Sequence, residues 1–147
     1  MIFERTTSIA APVRDVFAFF SSPKNLARIT PAALGFRIIS APDRSLRQGD
    51  RIEYRIRVNG VPLTWVTLIT SWDQNRSFSD LQEKGPYRKW HHTHTFEEVD
   101  GRTVMHDHVD YDLPLGFLGR FFGAWFVRRQ LSGIFDYRET VIQDLFS

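Results

Sequence analysis

Trp90-His91-His92-Thr93-His94-Thr95-Phe96 and Met105-His106-Asp107-His108-Val109-Asp110-Tyr111, with Asp100-Gly101 between them, decide the reading of this chain. Asp-Gly between two alternating runs is a strong short-range signal for a two-residue β-hairpin turn. In such a turn Val99 faces Arg102. Counting outwards then pairs Phe96 with Met105, His94 with Asp107, His92 with Val109 and Trp90 with Tyr111. Strand side chains alternate faces, so these eight share one side of a sheet. The other side takes His91, Thr93, Thr95, Glu97, His106, His108 and Asp110, a set that belongs in water. The first side is aromatic but also holds two imidazoles and a carboxylate. A face that only filled a core would not carry them, because burying a polar or charged group without a partner is costly. The mixture points to a cavity with polar groups aimed into it.

Working outward, Asn59-Gly60 is a second hairpin turn. It pairs Val58 with Val61, Ile56 with Leu63, Tyr54 with Trp65 and Ile52 with Thr67, and leaves Arg51, Glu53, Arg55 and Arg57 on the wet side. Strand pattern continues to about Trp72, and a further strand runs from Ser77 to Glu83 before the loop Lys84-Gly85-Pro86-Tyr87. There, periodicity leaves Phe78 and Leu81 competing for the buried side. Towards the N-terminus, Phe3 to Ile9 reads as a strand and Leu34 to Ser40 as another. Ala11-Pro12 opens a helix whose Val13, Val16, Phe17 and Phe20 share one face. Ser22-Pro23 starts a second, short one with Leu26 and Ile29 buried.

After Pro114 the pattern is helical from Leu115 to about Leu145, roughly 45 Å if unbroken. Leu131, Ile134, Phe135, Val141, Ile142 and Leu145 form its expected core stripe. Gly116, Gly119 and Gly123 weaken the aromatic first half by about 1 kcal/mol each relative to Ala, and Ser132-Gly133 is a second candidate bend. The predicted architecture is α+β: a curved antiparallel sheet of about six or seven strands, two short helices after the first strand, and one long C-terminal helix. A sheet with one dry face needs a cover, and only the last helix is long and apolar enough to supply it. A curved sheet wrapped on that helix can leave a cavity between them.

Composition narrows the function classes. The 147 residues are expected to form one domain over positions 1–147, with no metal or disulfide staple needed. Cysteine is absent, which excludes disulfides and thiolate chemistry. Met1-Ile2-Phe3-Glu4-Arg5 lacks a basic segment followed by an apolar run, so no secretory signal is expected, and a cytoplasmic protein is the default. The net charge is only +2 and the basic residues are dispersed, which argues against a nucleic-acid partner. The phosphate-cradling glycine loop, dinucleotide fingerprint, zinc-protease motif and nucleophile-elbow serine are all missing. Thirteen Phe and four Trp suit a roomy, ring-lined interior.

This order resembles the START-like superfamily, also called SRPBCC or Bet v 1-like, and within it the polyketide cyclase/dehydrase and coenzyme Q-binding START-type group. The resemblance rests on Ile9-Ala10-Ala11-Pro12 with Val16-Phe17, Leu26-Ala27-Arg28-Ile29-Thr30-Pro31, Tyr54, Trp65, and Phe78-Ser79-Asp80-Leu81-Gln82. It continues through Gly85-Pro86-Tyr87, the two histidine-bearing runs, Asp112-Leu113-Pro114 and Phe135-Asp136-Tyr137-Arg138. It covers essentially the whole chain and implies a helix-grip fold. It also favours Phe78, Asp80 and Gln82 pointing inward. For function it implies only a range, from lipid carriers and quinone-binding proteins to aromatase/cyclases, and fold alone does not choose among them. Similar domains also form part of longer proteins with an epimerase-like domain.

The expected ligand is a hydrophobic small molecule with a polar head: a lipid, quinone, polyketide or other aromatic. Its expected contacts are Tyr54, Trp65, Asp80, Gln82, Trp90, His92, His94, Asp107, Tyr111, Phe121 and Trp125. No cofactor and no metal are expected. The alternative is a cofactor-free aromatase/cyclase or dehydratase, with His94 as general base and Asp107 orienting it. The plainer reading of His94 and Asp107 is a satisfied buried pair that holds the sheet together. Asp80 would then partner His92, His94 or Arg138. The aromatic start of the last helix is expected to be buried, or else to act as an entrance in transient contact with a membrane. The outer histidines form a surface cluster of a kind that binds transition metals fortuitously.

Overall fold

In a computed structural model of the chain, residues 1–58, 60–113 and 123–147 are described. Seven strands form one antiparallel sheet: β1 (Ile2–Ile9), β2 (Arg37–Ser40), β3 (Arg51–Val58), β4 (Val61–Asp73), β5 (Ser77–Lys84), β6 (Lys89–Val99) and β7 (Arg102–Asp112). Among the described residues the α-helices are α1 (Val13–Phe20), α2 (Asn25–Arg28) and α3 (Ala124–Leu145). Spatial order is β1-β7-β6-β5-β4-β3-β2, so the first strand pairs with the last and the rest is a meander. Among the described residues, no helix is long and apolar enough to cross a membrane.

Both hairpins have the predicted registers. Val99 pairs with Arg102 and His94 with Asp107, while Val58 pairs with Val61 and Tyr54 with Trp65. The first turn is tight because Asp100 and Gly101 both take positive φ, 52° and 76°. Asp and Gly tolerate that region, and the right-handed twist of the flanking strands demands it. The β4–β5 pairing shifts twice, between Val66 and Thr67 and between Ile69 and Ser71. Phe78 is buried, Asp80 follows on the same face, and Leu81 lies opposite His91 and Leu68 on the outer side.

Two expectations change, and a third falls outside the described residues. The strand predicted from Leu34 begins only at Arg37, because Ala32–Leu34 form a 3-10 turn that Gly35 ends in the left-handed region (φ 55°). Leu145 is 40% exposed and leaves the core stripe, while Ile142 and Phe146 beside it pack against the core. The helix predicted from Leu115 is described only from Ala124, so its glycine-rich first half lies outside the described residues. Through Ser132-Gly133 the helix is continuous.

Leu131 and Phe135 join Phe3, Trp65, Trp90, Val109 and Tyr111 in one apolar cluster. Ile142 joins Ile9, Phe17, Phe20, Phe78, Phe96 and Met105 in another, closed off by α1. One helix therefore seals both ends of the sheet's concave face. A salt bridge from Arg5 to Asp136 (2.7 Å) ties its outer side to β1.

Candidate functional site

Between the sheet and α3 lies a cavity of about 340 Å³. Its wall is mainly apolar, with Phe20, Ile29 and Leu46 at one end and Trp65, Tyr87 and Trp90 at the other. That size and lining are those of small-molecule sites. Set into the apolar wall are Asp80, His92, His94 and Arg138.

These polar groups form a chain. Asp80 Oδ2 is 3.0 Å from His94 Nε2, and Asp107 Oδ1 is 2.8 Å from His92 Nε2. His94 Nδ1 lies 3.2 Å from the same Asp107 oxygen, in a charge contact whose alignment makes no hydrogen bond. The two imidazoles stack with centroids 3.8 Å apart, and Phe78 stacks on the far side of His94 at 4.2 Å. Alternation along β6 places His92 and His94 on one face. β7 brings Asp107 beneath them and β5 brings Asp80 to their flank.

Electrostatics divides the two imidazoles. Burial pushes His92 down, the charge of His94 pushes it further, and its carboxylate neighbours do not recover the loss. Burial also disfavours charge on His94, but Asp107 and Asp80 together outweigh it and hold the ring's pKa above the usual value. Burial would raise both carboxyls, yet hydrogen bonds and charge from the histidines hold Asp80 and Asp107 below the ordinary range. Arg138, projecting from α3, carries a positive charge felt by both carboxylates. Of the two rings, His94 is therefore the one whose surroundings favour the proton and His92 the one whose surroundings favour the neutral form. An ionised carboxylate only accepts, so His92 donates from Nε2 and its Nδ1 is left as an acceptor.

Buried Trp65 Nε1 and Arg138 Nε have no hydrogen-bond partner. Both groups only donate. Burial, and then the Asp80 charge, push the Tyr54 phenol up, so it too keeps its proton.

The model of a family described as polyketide cyclase/dehydrase and lipid transport matches residues 1–139. The chain belongs to this family. The backbone of this polyketide cyclase/dehydrase-type domain is similar to that of a START superfamily protein from Mycobacterium smegmatis, with TM-score 0.74 and 10% identity over 99% of this chain and 96% of that one. A protein from Thermus thermophilus matches with TM-score 0.74 and 13% identity over 100% of both chains. A nucleoside-diphosphate sugar epimerase from Corynebacterium glutamicum matches 97% of this chain with 28% of its own, at TM-score 0.70 and 22% identity. At such identities the likeness is one of fold, here the START-like helix-grip. No curated protein matches the chain by sequence.

Within this START-like domain, Tyr54, Trp65, Asp80, Trp90, His92 and His94 line the cavity. Asp107 does not: it is 1% exposed and lies behind the imidazoles, so it orients rather than touches. Tyr111 is also 1% exposed and packs under Tyr87 and Trp90 as core. Gln82 turns its amide to the loop, where it donates to the Tyr87 carbonyl at 2.7 Å and accepts from the Tyr87 amide at 3.1 Å. Trp125 is 70% exposed, with the Arg129 guanidinium 5.4 Å from its ring centre. Two residues from cavity-lining Val127, it falls on the opposite side of α3. Phe121 lies outside the described residues. Arg138 is a wall residue that the sequence suggests only as a partner for Asp80. Its spacing from Leu131 and Phe135, one helical turn at a time, is the signal that places it on the inward stripe.

Proposed function

We propose that residues 1–147 act as one ligand-binding domain that holds a hydrophobic small molecule between the sheet and α3. The class is a lipid, quinone, polyketide or other aromatic carrying acceptor oxygens. One observation carries this: a mainly apolar cavity between the sheet and α3 whose wall sets Asp80, His92, His94 and Arg138 among aromatic and aliphatic side chains. Small-molecule sites have this make-up, an apolar lining with a few polar groups that fix the ligand's orientation. The ligand's apolar body would lie against Phe20, Ile29, Leu46 and Tyr54.

The test is native mass spectrometry of protein purified from its own host, followed by quenching of Trp fluorescence with a panel of quinones, fatty acids and aromatic polyketides. Expected are a co-purifying organic molecule and saturable binding that Trp65→Phe weakens by about tenfold. No bound species and no saturable binding across the panel would reject the reading.

A second reading, a cofactor-free cyclase or dehydratase, is favoured by two stacked imidazoles whose surroundings push their pKa values in opposite directions. The roles then differ from those expected from sequence. His94, whose pKa is raised between two carboxylates, would supply the proton, and His92, whose pKa is lowered, would be the base. In an enzyme His92→Phe would lower turnover far more than it weakens binding; in a carrier only affinity would change.

A further inference from the structure

The outer face of the sheet carries a second convergence of ligating groups, unconnected with the cavity. His106 and His108 are two apart on β7 and share that face. On the neighbouring strand Thr6 pairs with His106 and Glu4 with His108. Glu4 Oε1 accepts from His108 Nδ1 at 2.8 Å and lies 3.5 Å from His106 Nε2. One donor atom from each of the three residues lies within 4.8 Å of the others. The other ring nitrogen of His106 is 2.9 Å from Thr6 Oγ1. A partner on the far nitrogen fixes a ligating histidine's orientation and leaves the near nitrogen's lone pair for a metal.

We propose that Glu4, His106 and His108 bind a first-row transition-metal dication such as Zn²⁺. Two imidazoles and a carboxylate form a three-ligand set for zinc, with water completing the shell. The side chains are 41–52% exposed, so the ion and its water have an open path. The inner trio Asp80, His92 and His94 also brings its ligand atoms within 4.8 Å. The Nε2 of each ring already meets a carboxylate, however, and the positive charge of Arg138 acts on both carboxylates. A dication there would put excess positive charge in a dry place. Outside, the site spans β1, the sheet's edge strand, and β7. Bound metal would clip that edge in place.

The experiment is titration of the untagged, metal-free chain with zinc chloride, by calorimetry and by thermal melting. Expected are one equivalent of zinc per chain and a melting temperature higher by roughly 5–10 °C at a hundredfold excess over the dissociation constant. Glu4→Gln should weaken binding at least tenfold, and the double variant His106→Asn/His108→Asn should abolish both effects. His91→Asn, a histidine on the same face beside Thr70, should change neither. Absence of binding, binding that survives the double variant, or equal loss with His91→Asn would overturn the proposal. All four positions face solvent, and circular dichroism checks that each variant keeps its fold.

Discussion

His92 and His94 are two residues apart with stacked rings, yet burial and neighbours move their pKa values in opposite directions. The sign of each shift sets a pH dependence. His94 is raised in the folded state, so its contribution is complete below about pH 6.5 and is lost as pH climbs through its elevated value. His92 is depressed, so its effect runs the other way: stability falls as pH drops from about 6.5 towards the folded value. Asp80 and Asp107, also depressed, add a further loss only below about pH 4. Urea midpoints from pH 3 to 9 should show all three limbs. His94→Asn should flatten the limb above pH 6.5, and His92→Asn the limb just below it. The opposite assignment would refute the charge pattern. At this scale the residues were legible, because alternation from the Asp-Gly turn puts both histidines on Asp107's face. Which imidazole holds its proton more readily was not, because it depends on Asp80, and Asp80's approach depends on how β5 pairs with β6.

The β5–β6 connection shows how an element can hold a wall. Gln82 grips both backbone groups of Tyr87, and Tyr87 packs against Trp65 and Trp90 at the cavity's edge. Gly85 sits so close that a Cβ there would stand 2.5 Å from Gln82 Oε1. Gly85→Ala should therefore displace Gln82, free Tyr87, cost about 1–3 kcal/mol and weaken ligand retention. Melting curves and the fluorescence titration check it; unchanged values would mean that the loop does not shape the cavity. Gln82's inward assignment failed for a local reason. An amide able to satisfy two backbone groups five residues on is satisfied there, and spacing within a strand does not reveal the return path of the loop. Trp125 leaves the cavity for a different reason: helical phase sends it outward, away from the ligand contact expected of it in the aromatic start of the helix.

Across the whole molecule, α3 seals one apolar cluster through Ile142 and borders the cavity through Leu131 and Phe135. The two jobs are separable. Ile142→Ala should cost about 2–5 kcal/mol while leaving ligand affinity unchanged. Phe135→Ala should cost about 3–5 kcal/mol and also alter affinity, because its ring forms part of the wall beside His92. Denaturant unfolding paired with ligand titration distinguishes them, and equal effects on affinity would mean that the two ends of the helix are coupled.

The hairpin registers, the wet and dry faces of the sheet, and the long covering helix followed from the sequence by itself. Turn chemistry and side-chain periodicity act over a few residues and are written in their order. The pairing of β1 with β7, the withdrawal of Asp107 and Tyr111 behind the cavity wall, the Asp80–His94 contact, and the meeting of Glu4 with His106 and His108 were decided only by the tertiary structure. Each joins groups from different strands or helices, and such distances are set when the sheet curves around α3 rather than by any local preference.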